Sequence, residues 1–79
     1  MSKANHHLHR IGAVSSLSGV PVPTLRVWET RYGAFCPSKP GGSHRLYNDE
    51  DVLRASLLRQ LTANGHAIST VANLDAADL

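Results

Sequence analysis

Residues 19–24, GVPVPT, limit the fold more than any other stretch of the chain. Gly19 is a natural stop for a helix, and Pro21 and Pro23 each lack the amide that a continuing helix would need. Any helix arriving from residue 11 must therefore end here. Pro23 has the fixed φ that suits a first helical turn, so a second helix is predicted to start near residue 22. Two helices joined by a tight glycine turn have the plan of a helix-turn-helix. The first must be short: in IGAVSSLSG, Gly12 can serve as N-cap, with Val14 and Leu17 three apart on one inward face.

The second helix has two contrasting sides. Leu25, Trp28 and Tyr32 fall at i, i+3 and i+7 and form one apolar stripe, with Trp28 read as a core anchor. Thr24, Arg26, Val27, Thr30 and Arg31 are left on the other faces, where two guanidinium groups and short side chains can meet a large anionic surface. Gly33 ends the helix. AFCPSKPGGSHRLY holds too many prolines and glycines for a helix and reads as a hairpin, with strands near 35–38 and 44–47 and its tip at KPGGS. On its second strand Arg45 and Tyr47 share a face, and Leu46 takes the other and pins the hairpin to the core. HRI at 9–11 reads as a short strand or an extended lead-in.

NDEDVLRASLLRQLTANG is predicted to be the longest helix. Asn48 is a good N-cap, and Asp49, Glu50 and Asp51 complement the dipole in the first turn. Val52, Ala55, Leu57, Leu58 and Leu61 supply a broad apolar surface, and Asn64 with Gly65 supplies the stop. A last short helix begins at Ile68 or Ser69 and carries Val71, Ala72 and Leu74 inward. The expected fold is mainly α with a small β-hairpin wing, in the order of a winged helix-turn-helix.

A chain of 79 residues has room for one domain with a thin core, since a domain this small buries only about 60% of its unfolded surface. Its formal net charge of +2 conceals an asymmetry. Residues 1–48 carry six lysines and arginines against Glu29 alone, a net +5, and residues 49–79 carry two arginines against five acids, a net −3. The basic part suggests a polyanion partner, although charge alone fits a merely solvated surface equally well. Cys36 is the only cysteine, which excludes a disulfide framework and fits a reducing interior. No run approaches the ~20 apolar residues of a membrane helix, and the N-terminus lacks the apolar stretch of a signal peptide, so a cytoplasmic protein without membrane association is expected. His6, His7 and His9 lack a supporting cysteine or carboxylate, so no metal site is expected. No grouping suited to nucleophilic or acid–base catalysis and no phosphate-binding loop is present, so no enzyme is expected.

RIGAVSSLSGVPVPTLRVWETRYG, then GGSHRLYNDEDV, then GHAISTVANL together resemble the DNA-binding domain of the MerR family of transcription regulators, over about residues 9–74. The members it most resembles carry Trp-Glu followed by Arg-Tyr-Gly, an HRLY wing and a Gly-His-x-Ile segment. Among them are light-responsive, cobalamin-binding repressors and regulators of biofilm or pigment genes. The resemblance implies a bacterial, nucleoid-associated protein that binds double-stranded DNA. It makes Thr24 and Arg26 phosphate or base contacts and puts Arg31 near the end of the recognition helix. It makes Lys39, His44, Arg45 and Tyr47 contacts to the flanking backbone or minor groove. Glu29 is expected to orient an arginine. The family often has an aromatic residue where Val27 stands and an arginine where Lys39 stands. Val27 can still touch a thymine methyl and Lys39 remains cationic, but an ammonium cannot copy a bidentate guanidinium.

The implied organisation is a flexible segment at 1–8, the winged helix-turn-helix at 9–74, and a tail at 75–79 that ends the chain or begins a linker to an effector domain. No cofactor is expected in these residues, and a cobalamin would bind the part beyond them. Such regulators dimerise on palindromic operators, so this piece is expected to be a monomer that recognises a half-site, and the full protein a homodimer or higher oligomer. Two other readings stay open. An excisionase-like architectural protein would use the same fold to bend DNA, and an interaction module would dock an acidic, DNA-mimicking protein on the basic face.

Overall fold

The computed structural model describes residues 8–35, 37–38 and 45–74. Four helices make up most of it: α1 (Ile11–Ser18), α2 (Val22–Tyr32), α3 (Asp49–Ala63) and α4 (Ile68–Val71). α1 packs on α2 and α3, and α4 packs on α3.

Local chemistry sets each boundary. Arg10, not Gly12, is the N-cap of α1, so the helix begins one residue before the expected cap could act. Gly19 ends it in the left-handed region at φ 81°, where its N–H donates to Ser15 O at 2.8 Å. Its Hα side is closed as well: a Cβ there would lie 3.1 Å from Nε of Arg59. Pro23 sits in the first turn of α2, and Gly33, at φ 62°, ends that helix. α3 opens on a capping box in which Asn48 Oδ1 accepts from the Asp51 N–H at 2.8 Å and Asp51 Oδ2 accepts from the Asn48 N–H at 3.1 Å. It closes on a Schellman pair, with Gly65 N–H to Thr62 O and His66 N–H to Leu61 O.

Between α2 and α3 the chain folds back in extended segments. Ser38 pairs with Leu46 and His9 pairs with Tyr47, both antiparallel and both as isolated bridges. Among the described residues there is no longer strand. Lys39, His44 and the KPGGS tip of the expected hairpin lie outside the described residues, as does Cys36.

The core gathers Val14, Val20, Leu25 and Trp28 from the helix-turn-helix, Ala34, Phe35 and Tyr47 from the segments after it, and Ala55, Leu58, Val71 and Ala72 from α3 and α4. Tyr32, Val52 and Leu61 pack half-buried against it. Three expectations are corrected here. Leu17 is 61% exposed, because the eight-residue helix turns Val14 and Ser18, four apart, inward and leaves position 17 outside. Leu46 and Tyr47 exchange sides: Tyr47 is 3% exposed and in the core, whereas Leu46 is only half-buried. Leu74, expected to point inward, is at the surface, beyond the end of α4. Among the described residues no helix is long and apolar enough to cross a membrane.

Candidate nucleic-acid interface

α2 divides cleanly along its length. Leu25 and Trp28 are buried and Tyr32 is half-buried, while Pro23, Arg26, Val27, Thr30 and Arg31 are exposed. The exposed set recurs at i, i+3, i+4, i+7 and i+8, the spacing of one helical stripe, so the surface stripe is as regular as the buried one. Thr24 stands between them, half-buried. Thr30 Oγ1 donates to Arg26 O at 2.8 Å, so its hydroxyl proton is used within the helix while its oxygen can still accept. Val27 puts an apolar surface between the two arginines and is 46% exposed. Among the described residues neither Arg26 nor Arg31 has a carboxylate partner.

Glu29, the only acid on α2, is turned away from that stripe. Its Oε2 accepts from Nη1 of Arg45, and its Oε1 accepts from the Tyr47 hydroxyl at 2.5 Å. Tyr47, expected to contact DNA, has its ring buried instead, edge-on against Phe35 with ring centroids 6.3 Å apart. Burial, reinforced by the hydrogen bond to the Glu29 carboxylate, pushes its phenol from 10.0 up to about 12, so it stays a neutral donor at physiological pH. Arg45, on the same segment, remains exposed along its side chain while its terminal nitrogen is engaged by Glu29.

Sequence pattern alone misses Arg54. From the middle of α3 its Nε donates to Ala34 O at 2.6 Å, and its two terminal nitrogens donate to Leu74 O and Ala72 O. It ties the segment after α2 to the segment after α4. An arginine among the leucines of a helix gives no sign of this, because all three acceptors are backbone carbonyls distant in the chain. Its setting also hosts an open cleft of about 330 Å³, lined by Gly33, Ala34, Asn48, Glu50 and Asp51 among others.

Residues 9–78 match the profile of the MerR HTH family of regulatory proteins, and the chain belongs to that family of DNA-binding transcription regulators. It is 41% identical over 66 residues to the HTH-type transcriptional repressor CarH of Myxococcus xanthus, a match that covers 84% of this chain and 22% of that protein. It is 39% identical over 64 residues to the HTH-type transcriptional regulator MlrA of Escherichia coli K12, covering 81% of this chain and 26% of that protein. The mercuric resistance operon regulatory protein of Pseudomonas fluorescens is 31% identical over 64 residues, covering 81% of this chain and 44% of that protein. The chain thus spans about a quarter of the length of CarH and MlrA. No solved structure gives a significant match.

Proposed function

We infer that these residues form the sequence-specific, double-stranded DNA-binding domain of a MerR-type transcription regulator, with α2 in the major groove. The observation that carries this reading is the exposed stripe of α2, on which Arg26 and Arg31 flank Val27 and Thr30 and neither guanidinium is engaged by a described carboxylate. A helix about 10–12 Å across fits a major groove about 12 Å wide, and the 11 residues of α2 run about 16 Å along it. Arginines in that position neutralise phosphates or fork onto guanine, and a valine packs against a thymine methyl. The segment 35–47 acts as the wing, with Lys39 and His44 reaching the flanking backbone or minor groove. The names of the relatives, a repressor and two regulators, support transcriptional control as the output. A palindromic operator bound by a dimer of the full protein accords with the usual symmetry of helix-turn-helix regulators.

Selection of duplexes from a random pool, followed by gel shift across a salt series, tests the reading. Arg26→Ala and Arg31→Ala should each weaken binding and lower the salt slope by ~0.9 for every phosphate that is no longer neutralised. Folded variants that bind as tightly as the wild type would remove the assignment.

A further inference from the structure

Glu29 is the sole acid among the first 48 residues, and it stands on the helix that carries Arg26 and Arg31. A carboxylate beside a polyanion repels it, so its presence there calls for a compensating role. Its side chain is only 9% exposed, against 43% for Arg45. Both of its oxygens are used, one by the Arg45 guanidinium and one by the Tyr47 hydroxyl. The Tyr47 backbone pairs in both directions with His9, at 2.7 and 2.8 Å, and the His9 imidazole Nε2 lies 2.7 Å from Asp49 Oδ1 at the first residue of α3. A continuous set of polar contacts therefore runs from α2 through residues 45–47 and 8–10 to α3.

We propose that Glu29 is a positioning residue for DNA binding: it holds the 45–47 segment at a fixed angle to α2, and Arg45 acts through Glu29 rather than on a phosphate. The proposal rests on the DNA-binding reading above and specifies how its two contact regions are joined. His44 directly precedes Arg45 and Lys39 stands six positions before it, so holding Arg45 and Tyr47 holds the root of the stretch that carries both. A root held in place before binding has less freedom to lose on binding. The guanidinium of Arg45 already has its counter-charge, and so contributes little to counterion release.

The test uses a duplex selected by the wild-type chain, salt-dependent affinity, and hydroxyl-radical footprints at saturating protein. Glu29→Ala should weaken binding about tenfold, the loss matching one charge-assisted hydrogen bond, with the salt slope unchanged. Its footprint should keep the central protection by α2 and lose the flanks, whereas a chain that is only less stable would keep both at saturation. Arg45→Ala should behave alike, and the double variant should bind no worse than the weaker single one, because both remove the same link. Glu29→Gln keeps the shape and one acceptor and should fall between; it serves in place of Glu29→Ala if that chain does not fold. Tighter binding by Glu29→Ala or Glu29→Gln, as the removal of a repulsive charge would give, overturns the proposal. So does a salt slope lowered by ~0.9 in Arg45→Ala, the mark of a direct phosphate contact. If those results appear while Arg26→Ala still loses affinity and slope, only the positioning role fails. An Arg26→Ala chain that binds like the wild type removes the DNA-binding reading and the positioning role together.

Discussion

α2 and α3 each carry two arginines, and Arg54 of α3 is used in the opposite way to the pair on α2. On α3, Arg54 donates to three backbone carbonyls, while Arg59 is exposed beside the Gly19 turn. On α2, Arg26 and Arg31 stand exposed beside Val27. The difference lies in the surroundings: Arg54 meets the carbonyls of Ala34, Ala72 and Leu74, while the Arg26 and Arg31 side chains meet no acceptor among the described residues. The same side chain is a cross-link where unsatisfied acceptors surround it and a contact surface where none do. Charge counted along the sequence cannot separate the two cases.

The largest effect should come from the anchor beneath the exposed stripe. Trp28 is 7% exposed, and Trp28→Ala should cost about 3–5 kcal/mol, a large share of what a small domain has. Thermal denaturation followed by far-UV circular dichroism should show a chain largely unfolded at about 37 °C. A variant that melts near the wild-type temperature would mean that the stripe does not depend on its buried side.

Next comes the cross-link. Arg54→Ala leaves three carbonyls without a donor and should cost about 2–3 kcal/mol in urea unfolding. Arg54→Lys should recover little, since one ammonium cannot reproduce the three directions of a planar guanidinium. If either substitution lowered the salt slope of DNA binding instead of stability, the contrast between the two helices would be wrong.

Tyr47 belongs with the held groups and gives the comparison a pH axis. Its phenol is pushed up to about 12 in the fold, against 10.0 in an unfolded chain, so the folded state holds that proton more tightly. The corresponding stability is fully present below about pH 10 and is lost as the pH rises toward about 12, at most about 2–3 kcal/mol. Tyr47→Phe should show a flatter alkaline limb in denaturant titrations, and an unchanged limb would mean that the hydroxyl is not held as described. Asn48→Ala, which removes half of the capping box, should cost about 1 kcal/mol at any pH near neutral.

These cases also mark what could be read from the chain and what could not. The close of α1 and both ends of α2 and α3 are legible because Gly19, Pro23, Gly33, Asn48 and Gly65 act on their own backbone or within one turn; the start of α1, at Arg10 and not Gly12, is not. The Glu29 bracket and the Arg54 cross-link join residues 16 to 20 positions apart, and no local pattern encodes such partners; that Glu29 would orient an arginine is legible only through the family resemblance, and the Arg54 cross-link not at all. Leu46 and Tyr47 show the intermediate case. Extended chain alternates sides, so a face assigned one residue out inverts both, and only packing against Phe35 decides which side is inward. Leu17 departs from expectation for a related reason: over eight residues a spacing of three and a spacing of four are equally available, and the orientation of α1 on α3 chooses between them.

The smallest effect on stability is expected at Arg26 and Arg31, and there the comparison is sharpest. Neither guanidinium holds a described carboxylate, and surface substitutions away from such partners usually change stability by less than about 0.5 kcal/mol. Arg26→Ala and Arg31→Ala should therefore melt like the wild type while binding DNA with lower affinity and a shallower salt dependence. Arg54→Ala should do the reverse, losing stability while the salt slope of its folded fraction stays the same. A double variant of Arg26 and Arg31 should lower the slope by about twice the single change, since two separate phosphate contacts release counterions independently. If the two losses are instead strongly coupled, the arginines share one base or one phosphate, and α2 lies across the groove at a steeper angle than a stripe running its full length would require.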